Sequence, residues 1–418
     1  MNFFPLAVSA TSLVLFTTTL LLALHIGYSK DDLLHPLIIT SVIFSFFLVI
    51  PGMYLLVTQQ FRLTTTTPQT TLSQALFLSS LSFTVICVSF IKAPDIRIRS
   101  RFNRLISEVP PQHYILSGFF LLLLGLLPYY YYVTVNGGFV RMLLIDARLQ
   151  FQVVPNTARY RVLSWGLVFG GYALMLGGSA VGELPRNQVV RRLIYIASLV
   201  VFAYTISFRE RLLIGFVLGC LVIYFHENVY KIRGLTFIST GIVGFFLILA
   251  VPLFEYLTGN FSSLPVSEVI YTYRFEAFLI LLQQVPESTS FYWGETFSTA
   301  VWFNYPGKSK PVGDILEKIV VGTDRENFAV SGTVLAEIYL NFGTAGLFIF
   351  STVFGVIIKQ VYKIKNTTGL TAGSYPVLLY ILLVILPTAI TWGTRVFVFT
   401  IGPVFITTVA ALIIINKL

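Results

Sequence analysis

Arginines gather in this chain where helices end and loops begin: Arg141, Arg148, Arg159, Arg161, Arg209, Arg211, Arg274 and Arg395. A guanidinium is planar and always charged. It carries paired N–H donors that match the oxygens of a carboxylate or phosphate. Four arginines within residues 134–161 share one acid, Asp146, and Arg209-Glu210-Arg211 again sets two arginines against one acid. Cations in excess of local acids suit an anion, and a phosphate or pyrophosphate fits best. The plainer alternative is that Arg159 and Arg161 anchor a helix end at a membrane interface. Arg209, Glu210 and Arg211 could likewise close a helical hairpin as an internal ion pair.

A second group could move a proton. In Ser331-Gly-Thr-Val-Leu-Ala-Glu337-Ile-Tyr339-Leu-Asn341-Phe-Gly343-Thr-Ala-Gly346, Glu337 and Asn341 are four apart and share a helical face. An acid in the first turns of a membrane helix is a functional candidate by default. Gly343 and Gly346 permit close helix approach or a broken helix. Glu276, beside Arg274, is the next candidate base, then Glu210. His25, His35, His113 and His226 all map to the inner side, so none serves as an outward base. Lys308 and Lys310, in a Pro/Gly turn, offer point charges for a phosphate or sugar phosphate. Trp302, Tyr292 and Tyr305 are candidates for stacking on sugar faces. With no outward His/Cys cluster or paired carboxylates, the site is expected to need neither metal nor cofactor.

The elements that must position these residues are membrane helices. The chain has 418 residues, 56% hydrophobic and 11% charged, with mean hydropathy +0.82. A soluble domain of this length does not have that composition. A span takes about 20 apolar residues, which predicts an all-α polytopic bundle of about 11–12 spans forming one integral membrane domain over 1–418. The candidates are 4–26, 36–57, 72–91, 112–133, 162–182, 193–208, 212–229, 235–257, 332–358, 373–393 and 396–416. The segment 4–26 lacks a basic leader and a small-residue cleavage site, so it reads as a retained span. Cys87 and Cys220 lie in apolar stretches and read as small buried hydrophobes.

Basic residues orient the chain. The densest cluster is 93–111 (Arg97, Arg99, Arg101, Arg104), and the loops 183–192, 230–234 and 359–372 fall on the same, inner side. The net charge of +10 therefore suits anionic lipid headgroups, and no nucleic-acid partner is expected. Two long outward loops remain. The first is 134–161, where Arg141 and Arg148 would share one helical face. The second is 258–331, whose pieces 266–284 and 292–305 predict short amphipathic helices on or dipping into the membrane face. The tyrosine run 129–132 reads as an interfacial belt.

Four segments together resemble a family, the first three being Arg209-Glu210-Arg211 opening a helix, Tyr273-Arg274-Phe-Glu276, and Gly294-Glu-Thr-Phe running on to Lys308–Pro311. The fullest match is the fourth, from Thr333 through Glu337, Tyr339 and Asn341-Phe-Gly343 to Gly346. This pattern is similar to that of Wzy-type oligosaccharide repeat unit polymerases over roughly residues 130–365. The resemblance implies a GT-C-like glycosyltransferase in the cytoplasmic membrane with its site facing outward. Its substrate would be an oligosaccharide on polyprenyl (undecaprenyl) pyrophosphate, with a chain-length regulator as a possible partner. The growing glycan would pass from its lipid to the non-reducing end of the next unit. Glu337, Glu276, Arg209 and Arg274 are then the catalytic candidates. Arg141, Arg148, Arg159, Arg161, Arg211, Lys308, Lys310, Asn341 and Tyr339 are the binding candidates. The related ligases carry an outward-loop histidine that this chain lacks, which favours polymerase. A lipid-linked glycan flippase is the alternative from another class.

Overall fold

The computed structural model describes residues 3–28, 35–59, 68–94, 110–144, 158–180, 187–207, 217, 220, 221, 224, 272–287, 290–296, 333–368 and 402–415. Among them the chain is all-α. In chain order the helices are α1 (Phe3–Tyr28), α2 (Pro36–Phe44), α3 (Ile50–Thr58), α4 (Gln69–Lys92), α5 (Pro111–Val135), α6 (Phe139–Leu144), α7 (Ala158–Ser179), α8 (Gln188–Ser207), α9 (Thr272–Gln284), α10 (Val334–Thr368) and α11 (Gly402–Ile415). Six stretches are long and apolar enough to cross a membrane: Pro5–Ile26, Pro36–Thr58, Gln69–Lys92, Pro111–Val135, Gln188–Thr205 and Val334–Gln360. These stretches make the chain an all-α, polytopic membrane protein. The expected spans 235–257 and 373–393 lie outside the described residues, as does 212–229 but for single residues.

The chain forms two compact units. The first comprises residues 1–96, 265–363 and 386–398, and the second comprises 97–264, 364–385 and 399–418. In the first unit α1 lies along α4. The two are joined by phenylalanines (Phe16 on Phe83, ring centroids 5.3 Å apart) and by hydroxyls, with Ser9 2.9 Å from Ser73 and Thr19 3.0 Å from Thr84. Hydroxyl pairs of this kind hold helices together where lipid gives no hydrophobic drive. Leu6, Val14 and Leu21 remain exposed on the other face of α1, as a lipid-facing surface requires.

The run from α2 to α3 is continuous but changes pitch. Pro51 has no N–H and cannot complete the bond to the carbonyl one turn back. Over Ser45–Val49, immediately before it, the helix widens to the π form. The run starts cleanly because His35 Nδ1 accepts the Leu37 N–H at 3.3 Å and Pro36 occupies the first turn. His35 is fully buried against Phe90 and Tyr362. At the same end of this unit Lys359 of α10 donates to the carbonyls of Ile91 (3.2 Å) and Ala93 (2.6 Å), where α4 stops before Pro94. A lysine at that position meets the negative end of the helix dipole.

The second unit is organised by glycines. On α5, Gly118 and Gly125 are seven apart; on α7, so are Gly171 and Gly178. Seven residues is about two turns, so each pair shares one face. The helices run antiparallel with these faces together. A Cβ on Gly118 would lie 2.5 Å from the Gly171 carbonyl oxygen, and one on Gly171 would lie 2.5 Å from that of Gly118. A Cβ on Gly178 would meet the Pro111 carbonyl at 2.7 Å, and Ser164 Oγ donates to the Gly125 carbonyl at 2.8 Å. Backbone thus meets backbone along the whole crossing. α11 packs on the same pair, its Ala411 and Leu412 against Tyr114 and Leu174.

This geometry separates two adjacent glycines. The atoms nearest a Cβ on Gly170 belong to threonine side chains, the closest at 3.2 Å, and these can shift. Gly170→Ala is expected to be neutral or stabilising by up to ~1 kcal/mol through helix propensity. Gly171→Ala forces the helices apart and is expected to cost about 3 kcal/mol. Thermal unfolding of the two variants in one detergent checks the contrast; equal midpoints would contradict the close crossing.

Two sequence expectations change here. The loop 183–192 is shorter than expected, because Asn187 Oδ1 caps α8 at the Val189 N–H (2.9 Å) and Arg191 and Arg192 sit in the first turns of the helix. The piece 266–284 is not an exposed amphipathic helix where it is described: α9 is buried from Arg274 through Leu281. Its two charges are confined to the first turns and point to different sides. From Ala277 to Leu282 the helix is apolar all round, and such a helix goes inside.

Candidate active site

The site is assembled on α10 in the first unit. Thr333 opens the helix: its carbonyl accepts the Glu337 N–H at 3.1 Å and its Oγ1 accepts the Ala336 N–H at 3.2 Å. That is an N-cap, and it places Glu337 in the first turns near the positive end of the helix dipole. Glu337 is 2% exposed and Asn341, one turn on, is fully buried. The Asn341 Nδ2 donates to the Glu337 carbonyl at 2.8 Å, so the two stack as their spacing predicts.

The helix then breaks. Gly343 has φ 63° and ψ −155°, a conformation essentially reserved for glycine. Carbonyls in the turn before a break lose their intrahelical donors and need others. The segment 290–296 supplies them: the Tyr292 N–H donates to the Leu340 carbonyl (3.2 Å) and the Trp293 N–H to the Asn341 carbonyl (3.1 Å). The Gly294 N–H goes to the Asn341 side chain, Oδ1, at 2.9 Å. Holding these contacts puts Trp293 and Gly294 at φ 49° and 92°, and turns the Trp293 indole outward, 76% exposed. A buried threonine completes the group. Thr296 Oγ1 accepts from Asn341 Nδ2 at 2.5 Å and donates to Glu337 Oε1 at 3.3 Å.

Tyr339 points to another neighbour. Its hydroxyl donates to the Val285 carbonyl at 3.1 Å, just past α9, and its ring meets Phe278 and Phe291 with centroids 6.0 and 6.3 Å away. Tyr339 thereby ties α10 to α9 and acts here as a structural contact. Arg274 and Glu276, in the first turns of α9, are fully buried. The Arg274 guanidinium carbon lies 5.6 Å from the centre of the Phe47 ring, in the π segment. Neither is a solvated surface charge. Charges so deep in a membrane protein are costly and mark function or a specific structural role.

The second unit holds Arg161, Arg141 and Arg159. Arg161 begins α7, 8% exposed, its guanidinium carbon 4.3 Å from the centre of the Trp165 ring. A cation–π contact one turn along the helix packs the Arg161 head group against the protein and away from solvent. Beneath it Ser164 lies 2.7 Å from the Tyr204 hydroxyl, which joins α7 to the last turn of α8. The ends of α5, α7 and α8 meet there, with the Tyr129 ring 4.7 Å from that of Tyr204. The tyrosine run therefore divides: Tyr132 is buried, while Tyr130 and Tyr131 stay exposed. Arg141 is exposed on the short α6, its side chain lying over Gly137. α6 is described only to Leu144, so Arg148 and the shared face lie outside the described residues. Arg159 is on α7 without a described side chain. Arg209, Glu210, Arg211, Arg395, Trp302, Tyr305, Lys308 and Lys310 also lie outside the described residues.

Sequence reasoning missed Thr296 and Trp293. Both belong to the piece 292–305, but their partners on α10 are more than 40 residues away, so no local spacing signals them. Comparison with models of protein families, with curated proteins and with solved structures gives no match.

Proposed function

We propose that the protein is a glycosyltransferase that polymerises oligosaccharide units carried on polyprenyl pyrophosphate, at the outer face of a cytoplasmic membrane. The observation that carries the reading is Glu337. This carboxylate is held at the start of a membrane helix by a threonine and an asparagine, immediately before a glycine break, within the segment that resembles the Wzy-type polymerases. In this reading an acceptor hydroxyl attacks the anomeric carbon of the donor and the bond to pyrophosphate breaks. Glu337 takes the hydroxyl proton as general base. Glu276 is the second candidate for that role and Arg274 the candidate for orienting the donor.

The leaving pyrophosphate needs cations. Arg141, Arg159 and Arg161 are assigned that role, with Arg148, Arg209, Arg211, Lys308 and Lys310. A positioned donor in such sites contributes about 2.7–4 kcal/mol to the transition state. Glu337 is 2% exposed, so the acceptor must displace part of what covers it. Among the described residues, the Thr296 hydroxyl contacts that carboxylate, and segment 290–296 is bonded to the turn of α10 that follows it.

One observation favours a second reading, a lipid-linked glycan flippase. Buried charges on α9 and α10 beside a broken helix are also the materials of a transport site. A deletion strain separates the two. Loss of the polymer ladder with single lipid-linked units outside the membrane is expected, restored by the wild-type gene. Units retained inside indicate a flippase, and full polymer left on the lipid indicates a ligase. An unchanged ladder in the deletion strain removes the polymerase reading.

A further inference from the structure

Hydrogen-bond direction around Glu337 can be deduced step by step. The Gly294 backbone N–H is a donor and nothing else, so the Asn341 atom that faces it at 2.9 Å is the amide oxygen. Its nitrogen then faces the Glu337 carbonyl at 2.8 Å and Thr296 Oγ1 at 2.5 Å, and donates to both. Thr296 is therefore an acceptor toward Asn341 and keeps its own hydrogen for Glu337 Oε1, 3.3 Å away. Backbone geometry 43 residues from Glu337 in sequence thus fixes which carboxylate oxygen is already a hydrogen-bond acceptor.

Resting on the reading of Glu337 as general base, we propose that Thr296 is its positioning residue: the hydroxyl holds Oε1 as an acceptor and directs proton uptake to Oε2. In the step itself the acceptor oxygen bonds to the anomeric carbon and the donor carbon–oxygen bond breaks. The electron pair leaves with the lipid pyrophosphate, and the hydroxyl proton passes to Oε2. Thr296 touches none of the reacting atoms. It acts by fixing the rotation of the carboxyl group, and a fully buried side chain has the rigidity to do so.

The test uses full-length protein in membranes with two variants. Thr296→Val keeps the shape and loses the hydroxyl; Thr296→Ser keeps the hydroxyl. The infrared band of Glu337 is assigned by difference against Glu337→Gln. That band is expected to shift in Thr296→Val and to stay in place in Thr296→Ser. Polymerisation is followed with single-unit lipid-linked oligosaccharide extracted from the deletion strain. In Thr296→Val kcat is expected to fall about tenfold with KM within twofold, and Thr296→Ser to retain most of it. An unmoved band in Thr296→Val overturns the proposal whatever the activity. A moved band with unchanged kcat overturns it as well, and so does an equal loss in both variants, which marks a packing role. A moved band with no polymer from wild-type protein leaves the hydroxyl–carboxyl contact standing and removes the polymerase reading, and with it the catalytic part of the proposal.

Discussion

Glu337→Gln is expected to reach the membrane at the wild-type level and to lower polymer formation by at least 100-fold, leaving single lipid-linked units. The size follows from the usual contribution of a general base, about 10²–10⁴. The substitution suits this site because glutamine keeps one oxygen of the same shape. That oxygen can still accept the Thr296 hydroxyl at the place where Oε1 does now, 3.3 Å away. The Asn341 contacts go to the Glu337 backbone and are untouched. What is lost is the ability to take up a proton. Glu337→Ala differs, because it leaves a buried threonine hydroxyl without this acceptor and opens a cavity on α10, so stability and activity fall together. Glycan banding in the complemented deletion strain, with protein level measured on the same membranes, distinguishes the cases. A full ladder from Glu337→Gln at normal protein level would move the base to Glu276 or to the substrate itself.

Legibility in the sequence depended on the distance over which each feature is built. The transmembrane helices were legible because each announces itself within about 20 residues. The expected spans 36–57, 72–91 and 112–133 fall inside helical stretches whose bounds differ by a few residues. The stacking of Glu337 on Asn341 and the break permitted by Gly343 were legible for the same reason: four residues and one glycine are local facts. α9 was not. Its charges suggested a surface helix, yet the packing of Phe275 near Gly52, more than 200 residues earlier, decides that it is buried. Thr296 was not legible either, since only tertiary structure brings it to Glu337. Arg161 shows the intermediate case. Its place at a helix start was readable, whereas its burial on Trp165 depends on how α5 and α8 close around α7.

Gly343→Ala is expected to lower stability by about 3 kcal/mol and to release segment 290–296. Two costs combine. The backbone at φ 63° and ψ −155° is one that a side chain tolerates only at about 1–3 kcal/mol. The added Cβ would also meet the Phe291 ring at 3.0 and 3.2 Å. That ring meets Tyr339 and Trp293 edge-on, and it belongs to the segment that satisfies the Leu340 and Asn341 carbonyls, so shifting it disturbs that segment. If the backbone relaxes to helix instead, the break closes and Leu340 and Asn341 regain partners within α10. Tyr292 and Trp293 then lose those acceptors. Hydrogen exchange at the Tyr292 and Trp293 amides reads this directly and is expected to accelerate, while exchange in α1 and α4 stays unchanged. A double variant with Phe291→Ala separates the two costs. Full recovery of exchange protection would assign the effect to the ring. Continued rapid exchange assigns it to the backbone, and the conformation of Gly343 favours the latter, because removing a ring does nothing for a residue that cannot adopt that φ.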